Sequence, residues 1–134
     1  MLNQISVFLK NTPGVLAYLI ERLMENKIFI RAMTVAETDD YGLLLLLVDQ
    51  FEKCINLLER GDYLYSVSEV IGVRSADNIG GVYEIAKLFG RHKVNIEYLY
   101  STMIKGEALI ILRINDTENA ISILKKNGFQ LFEK

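Results

Sequence analysis

Residues 4–30, QISVFLKNTPGVLAYLIERLMENKIFI, come back about 66 positions later as residues 70–96, VIGVRSADNIGGVYEIAKLFGRHKVNI. Ile5 and Val7 fall on Ile71 and Val73, Gly14 on Gly80, Lys27 on Lys93, and Ile30 on Ile96. The register runs on without a gap. Leu43 and Leu46 meet Leu109 and Leu112, and Glu52, Ile55 and Leu58 meet Glu118, Ile121 and Leu124. Other pairs keep only their apolar character: Leu16 with Val82, Leu19 with Ile85, Leu23 with Phe89, Ile28 with Val94. So many weak matches in one register are the mark of an internal repeat.

Each copy reads as βαββαβ. Alternating apolar residues make strands of residues 4–9 and 70–75. Thr12 can cap a helix whose first residue is Pro13, where a missing N–H costs nothing. Leu16, Leu19, Ile20 and Leu23 then recur at helical spacing, as do Val82, Ile85, Ala86 and Phe89. Second strands are expected at 28–35 and 94–102, third strands at 43–48 and 108–114. The second helices open on matching capping boxes, Asp49 with Glu52 and Asn115 with Glu118, and run to about Arg60 and Lys126. Short fourth strands fall near 64–68 and 129–132.

This element order, with right-handed crossovers, puts both helices on one face of an antiparallel sheet. The expected class is α+β: two ferredoxin-like units in tandem, residues 1–69 and 70–134. No Gly/Ser/Pro linker separates them, and residues 65–75 read as nearly continuous extended chain. The units are therefore expected to be held close.

Composition excludes several roles. The chain has 134 residues, 15 basic against 17 acidic, and a net charge of −2, which leaves no electrostatic footprint for nucleic acid. One cysteine, Cys54, rules out an internal disulfide or a multi-cysteine metal site and suits a reducing compartment. The longest apolar run, residues 43–48, is far short of a membrane span, and the N-terminus lacks signal-peptide features. The expected setting is the cytoplasm. A hydrophobic fraction of 51% hints at extra buried surface such as an oligomer interface.

No catalytic constellation is visible. His92 sits at a helix end without a nucleophile or carboxylate near it in sequence. Cys54 takes the place of Ala120 on the inner side of a helix, which suits a small buried hydrophobe. The first loops hold no metal-binding cysteine pair. The third strands hold no aromatics for base stacking. Tyr98 and Tyr100 lie on a second strand, where packing is the default role. Neither a metal nor a cofactor is expected.

Two loops remain: Asn11-Thr12-Pro13-Gly14 and Asp77-Asn78-Ile79-Gly80-Gly81. Each leads from a strand into a helix N-terminus, where free N–H groups favour a carboxylate. Glycine lets a ligand approach the backbone. Asp77 or Asn78 can accept hydrogen bonds from an ammonium group. The same loops also read as no more than well-capped helix starts, and the residues alone do not choose.

At these loops the chain resembles the ACT-domain family, whose hallmark is an Asp/Asn-x-Pro-Gly turn before a Leu-rich helix. Residues 11–16 match closely. Residues 77–82 match except that Ile79 replaces proline. Residues 28–37, residues 94–98, and Asp49 or Asn115 before the second helices also look like stand-alone tandem ACT proteins, so the resemblance spans essentially the whole chain. It implies small-molecule binding, usually of amino acids, and regulation of metabolic enzymes. ACT units typically join side by side, with ligand between the first loop of one unit and its neighbour. Carried over, Asn11, Thr12, Gly14, Asp77, Asn78 and Gly80 are the contact candidates, with Pro13, Ile79 and Gly81 completing the loops. A regulator acting in trans on a metabolic enzyme is then the first reading. A structural assembly module is the second, favoured by apolar residues on both sides of the second strand: Phe29, Met33 and Val35 opposite Ile28, Ile30 and Ala32. A homodimer is expected on the same ground, because one sheet face has no helices to cover it. An enzyme is the third and weakest.

Overall fold

The computed structural model describes residues 1–10, 12–37, 41–76 and 78–133. Along the chain run β1 (Leu2–Lys10), α1 (Val15–Glu25), β2 (Ile30–Glu37), β3 (Tyr41–Val48), α2 (Phe51–Arg60) and β4 (Leu64–Ser75). There follow α3 (Asn78–Arg91), β5 (Ile96–Ile104), β6 (Glu107–Ile114), α4 (Thr117–Lys126) and β7 (Gln130–Phe132). The order is βαββαβ twice over, with β4 closing one copy and opening the next. The chain divides into two compact units, Asn3–Ser68 and Glu69–Lys134, with Met1–Leu2 belonging to the second. The first unit orders its strands β2-β3-β1-β4, the second β5-β6-β4-β7.

Pairing repeats residue for residue. Ile5 lies opposite Leu46 and Val7 opposite Leu44. In the second unit Ile71 lies opposite Leu112 and Val73 opposite Ile110. Even the irregularities recur, with a bulge between Ile30 and Ala32 and another between Ile96 and Tyr98. Lys27 and Lys93 hold matching left-handed conformations, φ 56° and 58°, where each first helix turns into the following strand.

Each sheet buries alternate residues against its two helices. In the first unit Ile5, Val7, Leu44 and Leu46 pack on Leu19 and Leu23 of α1 and on Cys54, Leu57 and Leu58 of α2. In the second, Ile71, Val73, Ile110 and Leu112 pack on Ile85, Leu88 and Phe89 of α3 and on Ala120, Ile123 and Leu124 of α4. Each valine, leucine, isoleucine and phenylalanine among them contributes roughly 1.5–3 kcal/mol. A half-exposed ion pair such as Arg74–Glu107, at 2.7 Å, contributes at most about 1 kcal/mol. An apolar core, not surface charge, holds each unit together.

Three expectations are overturned. Thr12 and Pro13 do not start the first helix. Gly14 is the N-cap, at φ 88°, and α1 begins at Val15 without a side-chain cap. The second helices are each capped one residue later than expected. Gln50 is the N-cap of α2, and Asp116, not Asn115, caps α4 by accepting from the Asn119 N–H at 3.2 Å. Asp49 instead clamps the chain entering β2: its Oδ1 accepts from Phe29 N–H at 2.9 Å, and its own N–H donates to the Phe29 carbonyl at 3.1 Å. Finally, the bulge after Ile30 breaks the two-residue alternation. Met33 and Val35 lie opposite Leu46 and Leu44, so they share the helix side with Ile30, and Ala32 goes to the other side with Leu47. On that other side Leu45 and Leu47 are already buried within the single chain. The apolar third strand therefore does not by itself demand a second chain.

Candidate functional site

The candidate loops occupy the same place in each unit but take different shapes. In the first, Thr12 N–H donates to the Lys10 carbonyl at 2.9 Å, and the chain turns through exposed Thr12, Pro13 and Gly14 into α1. Gly14 is required for its conformation, since a positive φ is costly for any residue with a Cβ. It is not required for space, because a Cβ there would meet nothing within 4 Å. The backbone at this turn is open to approach from outside. Asn11 lies outside the described residues.

In the second unit the helix starts three residues earlier in repeat register. Asn78, Ile79 and Gly80 belong to α3, where their counterparts 12–14 precede α1, and Gly81 corresponds to Val15, the first residue of α1. Ile79, in place of Pro13, points outward and is 83% exposed. Gly81 is a close-packing glycine. A Cβ on it would strike Ser75 Oγ and lie 2.8 Å from Ser75 Cβ and 3.1 Å from Ile110 Cδ1. Asp77 lies outside the described residues. Neither α1 nor α3 carries an acidic residue in its first turn, though Asp77 immediately precedes α3 in sequence.

Cys54 is fully buried, and burial pushes its thiol up to about 11, so it is no thiolate at neutral pH. His92 is exposed just past the end of α3. Among the described residues no cluster of His, Cys, Asp and Glu is arranged to hold a metal ion. No described helix is long and apolar enough to cross a membrane. Tyr98 and Tyr100 stack on each other in β5, ring centroids 6.5 Å apart, and burial followed by the Tyr98 charge raises the Tyr100 hydroxyl's pKa.

The profile of one protein family, the ACT domain pair, matches residues 1–134. The chain is a member of that family. Among solved structures, protein BT0572 from Bacteroides thetaiotaomicron superposes with a TM-score of 0.90 at 26% identity, covering 98% of this chain and 91% of that one. The regulatory subunit of aspartate kinase from Thermus thermophilus superposes at 0.67 with 14% identity over 92% of this chain and 91% of that one. Aspartate kinase from Synechocystis, at 0.62 and 15% identity, matches over 92% of this chain but only 24% of its own. At such identities the last two likenesses speak for fold alone. No curated protein sequence matches.

ACT domains are regulatory modules. One feature of this ACT pair was not legible as a site. Beside α1, a groove of about 250 Å³ is lined by Ile20, Leu23, Met24, Ile28, Phe29 and Ile30, with Lys27 its one charged residue. The available signal was in the repeat itself, where Met24 and Phe29 correspond in sequence to Gly90 and Asn95.

Proposed function

We propose that this ACT pair binds a small molecule, an amino acid in particular, at its strand-to-helix turns and regulates a metabolic enzyme in trans. Each repeat, 1–69 and 70–134, is one ligand-binding module. The supporting observation is the recurrence, at one place in both units, of a glycine-bearing strand-to-helix segment whose helix has no acidic residue in its first turn. The ligand carboxylate takes N–H groups there, from Gly14 in the first turn, where Pro13 has none and that of Thr12 already donates to the Lys10 carbonyl, or from residues 78–81 in the second. Asp77 or Asn78 accepts from the ammonium, and Asn11 stands in the equivalent place in the first turn. Because an ionised acceptor holds an ammonium more strongly, the second site is the tighter. The protein works without catalysis of its own, without metal or cofactor, as a cytoplasmic homo-oligomer. A regulatory subunit of aspartate kinase shares this fold, which is consistent with action in trans. The test is thermal shift against the twenty amino acids, followed by calorimetry with any that stabilise. A bound ligand raises the melting temperature by mass action. Silence across the whole panel favours a second reading, a purely structural assembly module, which the exposed apolar groove beside α1 supports.

A further inference from the structure

We propose that the groove beside α1 is a ligand site in its own right, for a small apolar carboxylate that carries no amino group. It lies toward the C-terminal end of α1, away from the turn at Pro13 and Gly14, and does not depend on the amino-acid reading of that turn. Its floor is Leu23 and Ile28, 1% and 3% exposed. Its rim is Met24 and Phe29, 69% and 68% exposed. Large apolar side chains held open around a concavity are the common lining of small-molecule sites. A cavity of roughly 150 Å³ takes a benzene ring. This groove, at about 250 Å³, has room for a ring and a short acid chain.

The walls are set before any ligand arrives. Asp49 holds Phe29 at both its N–H and its carbonyl. Lys27 is rooted in a left-handed turn, φ 56°. Its N–H donates to the Met24 carbonyl at 3.0 Å, and its carbonyl accepts from Gln50 Nε2 at 2.7 Å. Such preorganisation lowers the entropic cost of binding. Met24 supplies the adaptable wall, since a thioether repacks readily and favours aromatic neighbours.

Charge decides what the polar end of the ligand must be. Lys27 is the one charged residue lining the groove, and among the described residues no acid forms an ion pair with it. Its ammonium offers three donors and no acceptor, so its complement is an anion. An ammonium on the ligand finds no such complement. The Leu23 and Met24 carbonyls already accept from the Ile28 and Lys27 N–H groups, and the Lys27 carbonyl accepts from Gln50. Asp49 is committed to the Phe29 N–H and does not line the groove. An α-amino group would be desolvated beside a like charge with nothing to accept from it. The second unit keeps the cation as Lys93 but replaces Ile20, Met24 and Phe29 with Ala86, Gly90 and Asn95, so the site occurs once per chain.

The test is calorimetric titration of the full chain with hydrocinnamate, hydrocinnamyl alcohol and L-phenylalanine, on wild type, Lys27→Gln and Phe29→Asn, with circular dichroism as the check on folding. The expected result is one hydrocinnamate per chain, bound roughly tenfold more weakly by each variant. The alcohol should bind wild type roughly tenfold more weakly than the acid does, and Lys27→Gln should bind the two alike. Any binding of L-phenylalanine belongs to the turns and should be unchanged in Phe29→Asn. Met24→Glu, which sets an acid on the exposed rim, keeps the test usable if Phe29→Asn disturbs folding, and should weaken hydrocinnamate at least as much. Absence of hydrocinnamate binding at millimolar concentration, or binding that none of these changes weakens, overturns the site. A groove that binds no probe, in a dimer that Phe29→Asn dissociates by sedimentation equilibrium, overturns it in favour of a second copy as the occupant.

Discussion

The turn before α1 and the turn before α3 occupy the same place in one fold and solve it differently. In the first, Pro13 and Gly14 hold the chain in a turn, Gly14 at φ 88°, and the helix waits until Val15. In the second, Ile79 stands in place of the proline and the helix runs back to Asn78, taking in both glycines. One motif thus yields two donor arrangements. The first presents an open, left-handed glycine ahead of the helix. The second brings the helix's own first N–H groups up to the residue after Asp77. The glycines changed roles with the shape: Gly14 supplies a dihedral angle, Gly81 a close approach.

The sharpest way to break this comparison is at Gly81. Its counterpart Val15 carries a full side chain, yet at Gly81 even a methyl group collides with Ser75. Gly81→Ala should cost about 1–3 kcal/mol, read by urea unfolding. A neutral result would mean that α3 starts differently from α1 only in appearance. Next, Gly14→Ala should cost about 1–2 kcal/mol, since the positive φ is strained for alanine although space is open. Gly80→Ala, inside the helix, should have the opposite sign, stabilising by up to about 1 kcal/mol. Equal effects at the two positions would erase the distinction between the turns.

The repeat also compares Cys54 with Ala120, and here a smaller, pH-dependent effect is expected. The folded thiol's pKa is raised from 9.0 to about 11, so burial of the neutral form stabilises fully below pH 9. That contribution is lost as pH climbs from 9 toward 11. Cys54→Ala should flatten the alkaline fall in stability over that window. An unchanged curve would show that Cys54 does not titrate with unfolding.

Much of this was legible in the sequence because the repeat gave every position a second reading. Pairs such as Ile5 with Ile71 and Leu46 with Leu112 placed strands and core together, and the structure keeps them in the same register. Boundaries were less legible. Asn115 and Asp116 can both cap a helix, and only the backbone decides between them. The bulges at Ile30/Ala32 and Ile96/Tyr98 leave no composition signal, yet one of them moves Met33 and Val35 across the sheet. For the candidate site, the glycines were found as a motif. Whether a given glycine serves conformation or packing depends on neighbours such as Ser75 that sit remote from it in any pattern.

We propose that both turns take an amino acid and that the second holds it more tightly. Calorimetric titration of wild type, Asp77→Ala and Asn11→Ala with the amino acid that most raises the melting temperature tests it directly. Asp77→Ala should weaken binding by about 1.5–3 kcal/mol, tenfold or more, while the Asn11→Ala change costs less. Equal affinity in wild type and Asp77→Ala would contradict the account.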